Sequence, residues 1–185
     1  VEPTEACLLK SQETREPTTV RYKELDAIIQ EIAKTATQGE KAIVVWVVDN
    51  APGLKAHANP LAEALRKNFP KDGARHAVAV LGEAPRVPLK LSEGPDAAAA
   101  AIAALASGPP DNALKNAFLR VREAALFAAG ISGRAPKFVV LFSTENADTE
   151  DDLEGTRRIF KDNKTAFLAI VPETAYSDSY WASVL

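Results

Sequence analysis

The sequence predicts an α/β protein: a three-layer α/β/α sandwich built on a doubly wound, mostly parallel sheet with a short antiparallel edge strand. Three observations lead there. The short runs AIVVWVV, HAVAVL, KFVVLF and TAFLAIV are apolar and β-prone with little polar alternation, which reads as strands covered on both faces. Helical patterns separate them, as parallel pairing requires. Two of the runs open at their carboxyl ends into turn residues, at 49–53 and 143–146, where open α/β sheets hold ligands.

The first of these runs, residues 42–48, is the central strand, and it delivers Asp49 to that edge. The chain before it divides in two. Residues 1–20 are polar and punctuated by Pro3 and Pro17, and read as an N-terminal arm or linker, leaving 21–185 as a single domain. From Tyr22 to about Thr35, Leu25, Ile28, Ile29 and Ile32 recur at helical spacing, and Gln38 and Gly39 supply a stop.

After Gly53, the stripe Leu54, Ala58, Leu61, Leu65 and Phe69 continues as a helix. Pro60 disfavours a helix interior, so the regular helix is expected to start with Asn59 as cap and Pro60 in its first turn, 53–58 being a preceding turn. The second strand covers about 75–81. In the Pro-rich connection that follows, Val87, Leu89 and Leu91 alternate as a short edge strand would. Pro95 opens an alanine-dense helix, broken at 107–110. Asp111 or Asn112 caps the next, which runs to about Ala129 with Leu114, Phe118, Val121, Ala125 and Leu126 inward. KFVVLF is the third buried strand. Thr149 starts a helix with acids in its first turn and bases in its last, as the dipole favours, and TAFLAIV is the fourth strand, ended by Pro172.

Composition narrows the function. With 185 residues, 46% hydrophobic and 25% charged, the chain suits one soluble globular core. Twenty-two basic residues against 25 acidic ones give a net charge of −3, so nothing draws it generally to nucleic acid or to an anionic membrane. Cys7 is the single cysteine, which excludes an internal disulfide and leaves the compartment open; with no His or cationic cluster nearby in sequence it reads as inert. No run reaches the roughly 18 apolar residues of a spanning helix, so no membrane insertion is expected of this segment. The absence of Met and the start at Val1 read as a processed or excised piece, and localisation stays open.

The catalytic signatures G-x-S-x-G, G-x-x-x-x-G-K-[ST], G-x-G-x-x-G and H-E-x-x-H are missing. A receiver-like phosphoacceptor domain would need an acceptor Asp after a middle strand and a Lys after the last. Gly82, Ser143 and Pro172 stand at those strand ends instead. His57 and His76 lack metal-ligand spacing and read as ordinary surface or strand-end residues.

Across about 41–171 the chain resembles a von Willebrand factor type A domain. The family opens on an apolar strand ending in D-x-S-x-S, and here VVWVVDNAPG ends in Asp49, Asn50, Ala51, Pro52 and Gly53. VAVLGEAPRVPLKLSEGPDAAAAAIAAL looks like its next strand, connection and small-residue helix; GPPDNALKNAFL looks like its second loop, and FVVLFSTENAD stands where the family has a strand ending in T-D-G. The resemblance implies a Rossmann-like sheet and a metal-ion-dependent adhesion site of hydroxyl and carboxylate oxygens, the donors that Mg²⁺ or Ca²⁺ takes. Asp49 matches the first ligand. The serine positions are Ala51 and Gly53, without side-chain oxygens; the second-loop Thr falls on Asp111 or Asn112, and the third-loop Asp on Thr144.

The expectation is therefore a protein-binding, non-enzymatic module with a degenerate metal site and no cofactor. Its partner rim would be Asp49, Asn50, Ala51, Gly53, Asp111, Asn112, Ser143, Thr144 and Glu145. Should a divalent cation bind, a non-standard set of Asp49 with Asp111, Asn112 or Glu145 would hold it. The alternative for Asp49 is a turn carboxylate that accepts backbone N–H groups of its own loop, and for the whole chain a purely structural domain.

Overall fold

The computed structural model describes residues 6–10, 18–22, 25–81, 87–109, 117–143 and 153–172, with the backbone alone at 6–10, 18–22, 117–118, 153 and 171–172. In chain order the elements are β1 (Ala6–Lys10), β2 (Thr18–Tyr22), α1 (Leu25–Ala36), β3 (Ala42–Asp49), α2 (Lys55–Asn68), β4 (Ala74–Leu81), β5 (Ser92–Glu93), α3 (Asp96–Ala104), α4 (Ala117–Ala129), β6 (Lys137–Phe142), α5 (Leu153–Asp162) and β7 (Thr165–Pro172).

Among the described residues one seven-stranded sheet has the order β2-β1-β7-β6-β3-β4-β5. Its centre, β7-β6-β3-β4, is parallel, and β3 is flanked by Val44↔His76 on one side and Val44↔Phe138 on the other. Every residue of β3 is buried, because side chains alternate between two covered faces. Val44, Trp46 and Val48 pack with α1, α2 and α3. Ile43, Val45 and Val47 pack with α4, and Ile159 and Phe160 of α5 join that face. The expected three-layer sandwich with a mostly parallel sheet is what forms.

The edges differ from expectation. Residues 6–10 and 18–22, of which 6–10 and 18–20 fall in the stretch read as an arm, form an antiparallel hairpin whose first strand pairs with β7, Ala6 opposite Pro172 and Cys7 opposite Val171, so that the N-terminal segment completes the sheet. Pro3 and Pro17, which suggested a linker, lie outside the described residues. At the other edge the antiparallel strand is not 87–91 but Ser92–Glu93, paired with His76 and Arg75. Leu89 and Leu91 instead pack against the α4 face of the core, while Val87 is 57% exposed.

Two helices also depart from the reading. α2 begins at Lys55, directly after a 3-10 turn over Pro52–Leu54, and carries Pro60 inside it. Burial of Leu54, Ala58, Leu61 and Leu65 along one stripe outweighs the backbone hydrogen bond that Pro60 cannot donate. On α4, Leu126 is 50% exposed, and Val121, Ala124, Ala125 and Ala128 face inward. His76 proves to be a core residue, fully buried against Trp46 and Phe69. No helix among the described residues is long and apolar enough to cross a membrane.

Candidate functional site

The chain leaves β3 toward β4 through α2, and leaves β6 toward β7 through α5 on the opposite face. β3 and β6 are neighbours whose onward connections diverge, which makes the gap between their carboxyl ends the switch point where α/β sheets open a crevice. Val48 lies beside Phe142 in the ladder, so the next residues, Asp49 and Ser143, come side by side at that gap.

Asp49 is 2% exposed and Ser143 1%. The Ser143 hydroxyl donates to Asp49 Oδ2 at 3.0 Å, and the Ala51 N–H donates to Oδ1 at 2.9 Å. The second bond closes an Asx turn, in which the carboxylate stands in for a backbone acceptor and bends the chain. Ala51 is extended, at φ −64° and ψ 149°, the region favoured before a proline. Pro52 then starts the 3-10 turn, closed by Leu54 N–H donating to Ala51 O at 3.0 Å. The turn-carboxylate reading of Asp49 thus describes its geometry, and each carboxylate oxygen already accepts a hydrogen bond from the protein.

A second set of bonds ties this loop to the stretch after α3. The Lys55 ammonium donates to Leu105 O at 2.7 Å, Gly108 O at 2.6 Å and Asn50 Oδ1 at 3.3 Å, and Asn50 Nδ2 donates to Pro109 O at 3.3 Å. His57, half-buried on α2, stacks edge-on against Phe142 with ring centroids 6.1 Å apart, and burial lowers its pKa.

Of the residues expected on the rim, Asp49, Ala51 and Ser143 are brought together but lie inside, Asn50 is half-buried, and Gly53 is exposed. Asp111, Asn112, Thr144 and Glu145 lie outside the described residues, and with them every companion proposed for Asp49 in a metal site. Among the described residues no group of three or more His, Cys, Asp or Glu side chains is placed to hold a metal ion. Lys55 was not singled out by the sequence. Two of its three acceptors are main-chain carbonyls, which leave no trace in a side-chain pattern.

No family model matches the chain, and neither does any curated protein sequence. Solved structures similar to it include two of the pilus adhesin SpaC from Lactobacillus rhamnosus GG. The open conformation is 12% identical over 58% of this chain and 15% of that one, with a TM-score of 0.46. A second structure is 11% identical over 60% and 16%, with a TM-score of 0.47. The chain thus spans about one-sixth of the adhesin's length.

Proposed function

We propose that this chain is a non-catalytic protein-interaction module of von Willebrand A type, with a degenerate metal site, that holds a partner through the loops at the carboxyl edge of its sheet without a metal ion. The observation that carries the reading is the closed interior of that edge. Asp49, the acid that matches the family's first ligand, has its two oxygens engaged by Ala51 N–H and Ser143 Oγ–H and is almost fully buried. A cation would share the carboxylate with those two hydrogen bonds and would find no side-chain oxygen at Ala51 or Gly53 to complete its shell. The same burial removes the Ser143 hydroxyl from solvent, which disfavours it as a nucleophile. Among the described residues, what remains for a partner is the exposed outside of the loop, Pro52 and Gly53, with Asn50 half-exposed beside them. Position at a switch-point crevice supports a binding role for this edge.

The reading is tested by substituting the exposed part of the loop. A Cβ at Gly53 meets nothing within 4 Å and its φ is not positive, so Gly53→Arg leaves the fold unstrained. Crosslinking followed by mass spectrometry identifies a captured protein. Capture lost with Gly53→Arg, at unchanged melting temperature and in the presence of a chelator, is the expected result. Capture by Gly53→Arg equal to wild type overturns the assignment of the rim. A micromolar site for Mg²⁺, Mn²⁺ or Ca²⁺ that Asp49→Ala abolishes overturns the metal-free part, and any turnover that Ser143→Ala removes overturns the non-catalytic part.

A further inference from the structure

Lys55 is the first residue of α2, and no acid accompanies it in that first turn. By local preference this is a poor place for a cation, because the helix N-terminus carries partial positive charge. Nine residues of α3 end with the complementary problem. Its last carbonyls are served by the N–H groups of Leu105, Ala106 and Gly108 just beyond it, but the partial charge there is negative and α3 has no basic residue in its own last turn. The Lys55 ammonium resolves both by reaching out of its own helix to Leu105 O and Gly108 O while also donating to Asn50 Oδ1. Each of its three protons therefore has an acceptor, and the acceptors come from two loops that, among the described residues, no backbone hydrogen bond joins.

We infer that Lys55 is a positioning residue of the rim: its ammonium is the internal cation that sets the spacing between the loop after β3 and the chain after α3, and partner recognition at the rim follows that spacing. This deepens the rim reading above and rests on it only for the last clause. The chemistry favours a charge here over a neutral donor. Hydrogen bonds from an ion are about twice as strong as neutral ones, and main-chain carbonyls at a helix end attract a cation through their summed dipole as well.

The test is hydrogen exchange read amide by amide, which needs no partner. The reporters are Ala51 and Leu54, whose N–H groups bond to Asp49 Oδ1 and Ala51 O, together with Ala106 and Gly108, bonded to Ala103 O and Ala104 O. Val45 and Val47 in β3 serve as internal controls. In Lys55→Met, which keeps most of the side-chain volume and removes the charge with all three of its hydrogen bonds, exchange at the reporters is expected to rise about tenfold or more, since even one such bond accounts for about a factor of ten, with the controls unmoved. Lys55→Ala behaves likewise, and added propylammonium, the fragment deleted, restores protection while propanol does not. Reporter protection in Lys55→Met equal to wild type overturns the inference. So does a uniform rise that includes β3, which marks Lys55 as a residue of general stability, and so does rescue by propanol, which assigns the effect to packing. Partner capture separates the two claims. If Gly53→Arg loses the partner while Lys55→Met, with loosened loops, retains it, the link from spacing to recognition fails and the rim stands; if Gly53→Arg retains the partner, the rim fails and the exchange data still decide the role of Lys55.

Discussion

The indole N–H of Trp46 donates to Nδ1 of His76 at 3.1 Å inside the sheet's helix-covered face, with the two rings stacked at an interplanar angle of 16°. That bond assigns the neutral imidazole its tautomer: Nδ1 is the acceptor and the proton sits on Nε2, which has no hydrogen-bond partner among the described residues. Phe69 closes the site edge-on, its centroid 4.8 Å from the imidazole. An imidazolium there would lose the Trp46 bond and face apolar rings, and burial accordingly lowers the His76 pKa from 6.5 to about 4.

Stability is therefore expected to fall with acid in a defined window. The unfolded chain binds a proton on His76 below pH 6.5, whereas the folded one does so only below about 4. The contribution is fully present above 6.5, is lost progressively down to about 4, and amounts to about 3 kcal/mol. His57, lowered by partial burial, acts in the same direction. Asp26 enters only below its ordinary value of 3.8, because the hydrogen bond from Lys67, opposed by desolvation and aided by Asn68, keeps it ionised. Urea unfolding across this range checks the slope, and His76→Gln, which keeps an acceptor for Trp46 without titrating, flattens it.

The Asp49–Ser143 bond joins the ends of two strands and should couple their stabilities. Ser143→Ala is expected to lower unfolding free energy by about 1–3 kcal/mol, the range for depriving a buried acceptor of its hydrogen-bond donor. A double-mutant cycle with Asp49→Ala, which removes the acceptor, measures the coupling; additive effects, with no interaction energy, contradict the bond.

Gly94 has φ +66°, and a Cβ there would stand 2.7 Å from the main-chain oxygen of Lys71. Both left-handed strain and a backbone collision oppose any side chain, so Gly94→Ala should destabilise by about 2 kcal/mol or more. Chemical denaturation reads the loss.

Leu61 and Leu126 make a matched contrast. Leu61 is fully buried on α2, and Leu61→Ala is expected to cost about 2–5 kcal/mol. Leu126→Gln, on the open side of α4, should lie within about 0.5 kcal/mol of wild type. A large loss at Leu126 would restore the inward assignment drawn from its spacing.

These cases mark what the sequence discloses. β3, β4, β6 and β7 were legible because strands covered on both faces must be apolar throughout, and the turn residues after Asp49 and Phe142 located the edge where the two loops meet. The shortness of the chain after β7 left room for the N-terminal segment to complete the sheet, but the hairpin itself was not legible, since what justifies β1 is pairing with β7 at the far end of the described chain. β5 has two residues, too few for any periodicity. On α4 the inward face is made largely of alanines, so the spacing of larger residues drew Leu126 to the wrong side. At the site, Asp49 stood out by position. Whether it faced outward depended on Ser143 and Ala51 converging on it, a consequence of strand register that no local pattern carries.

The pairing of β1 with β7 also orders events in time. β1 is the first of the described strands to be synthesised and β7 the last, so the hairpin can form early by local contacts but has nowhere to dock until the chain as far as Pro172 has been made. During that interval the edge of β6 that will receive β7 is open as well. Arrest of synthesis before residue 165 would thus leave two unsatisfied strand edges at once, a state in which strands from separate chains can pair.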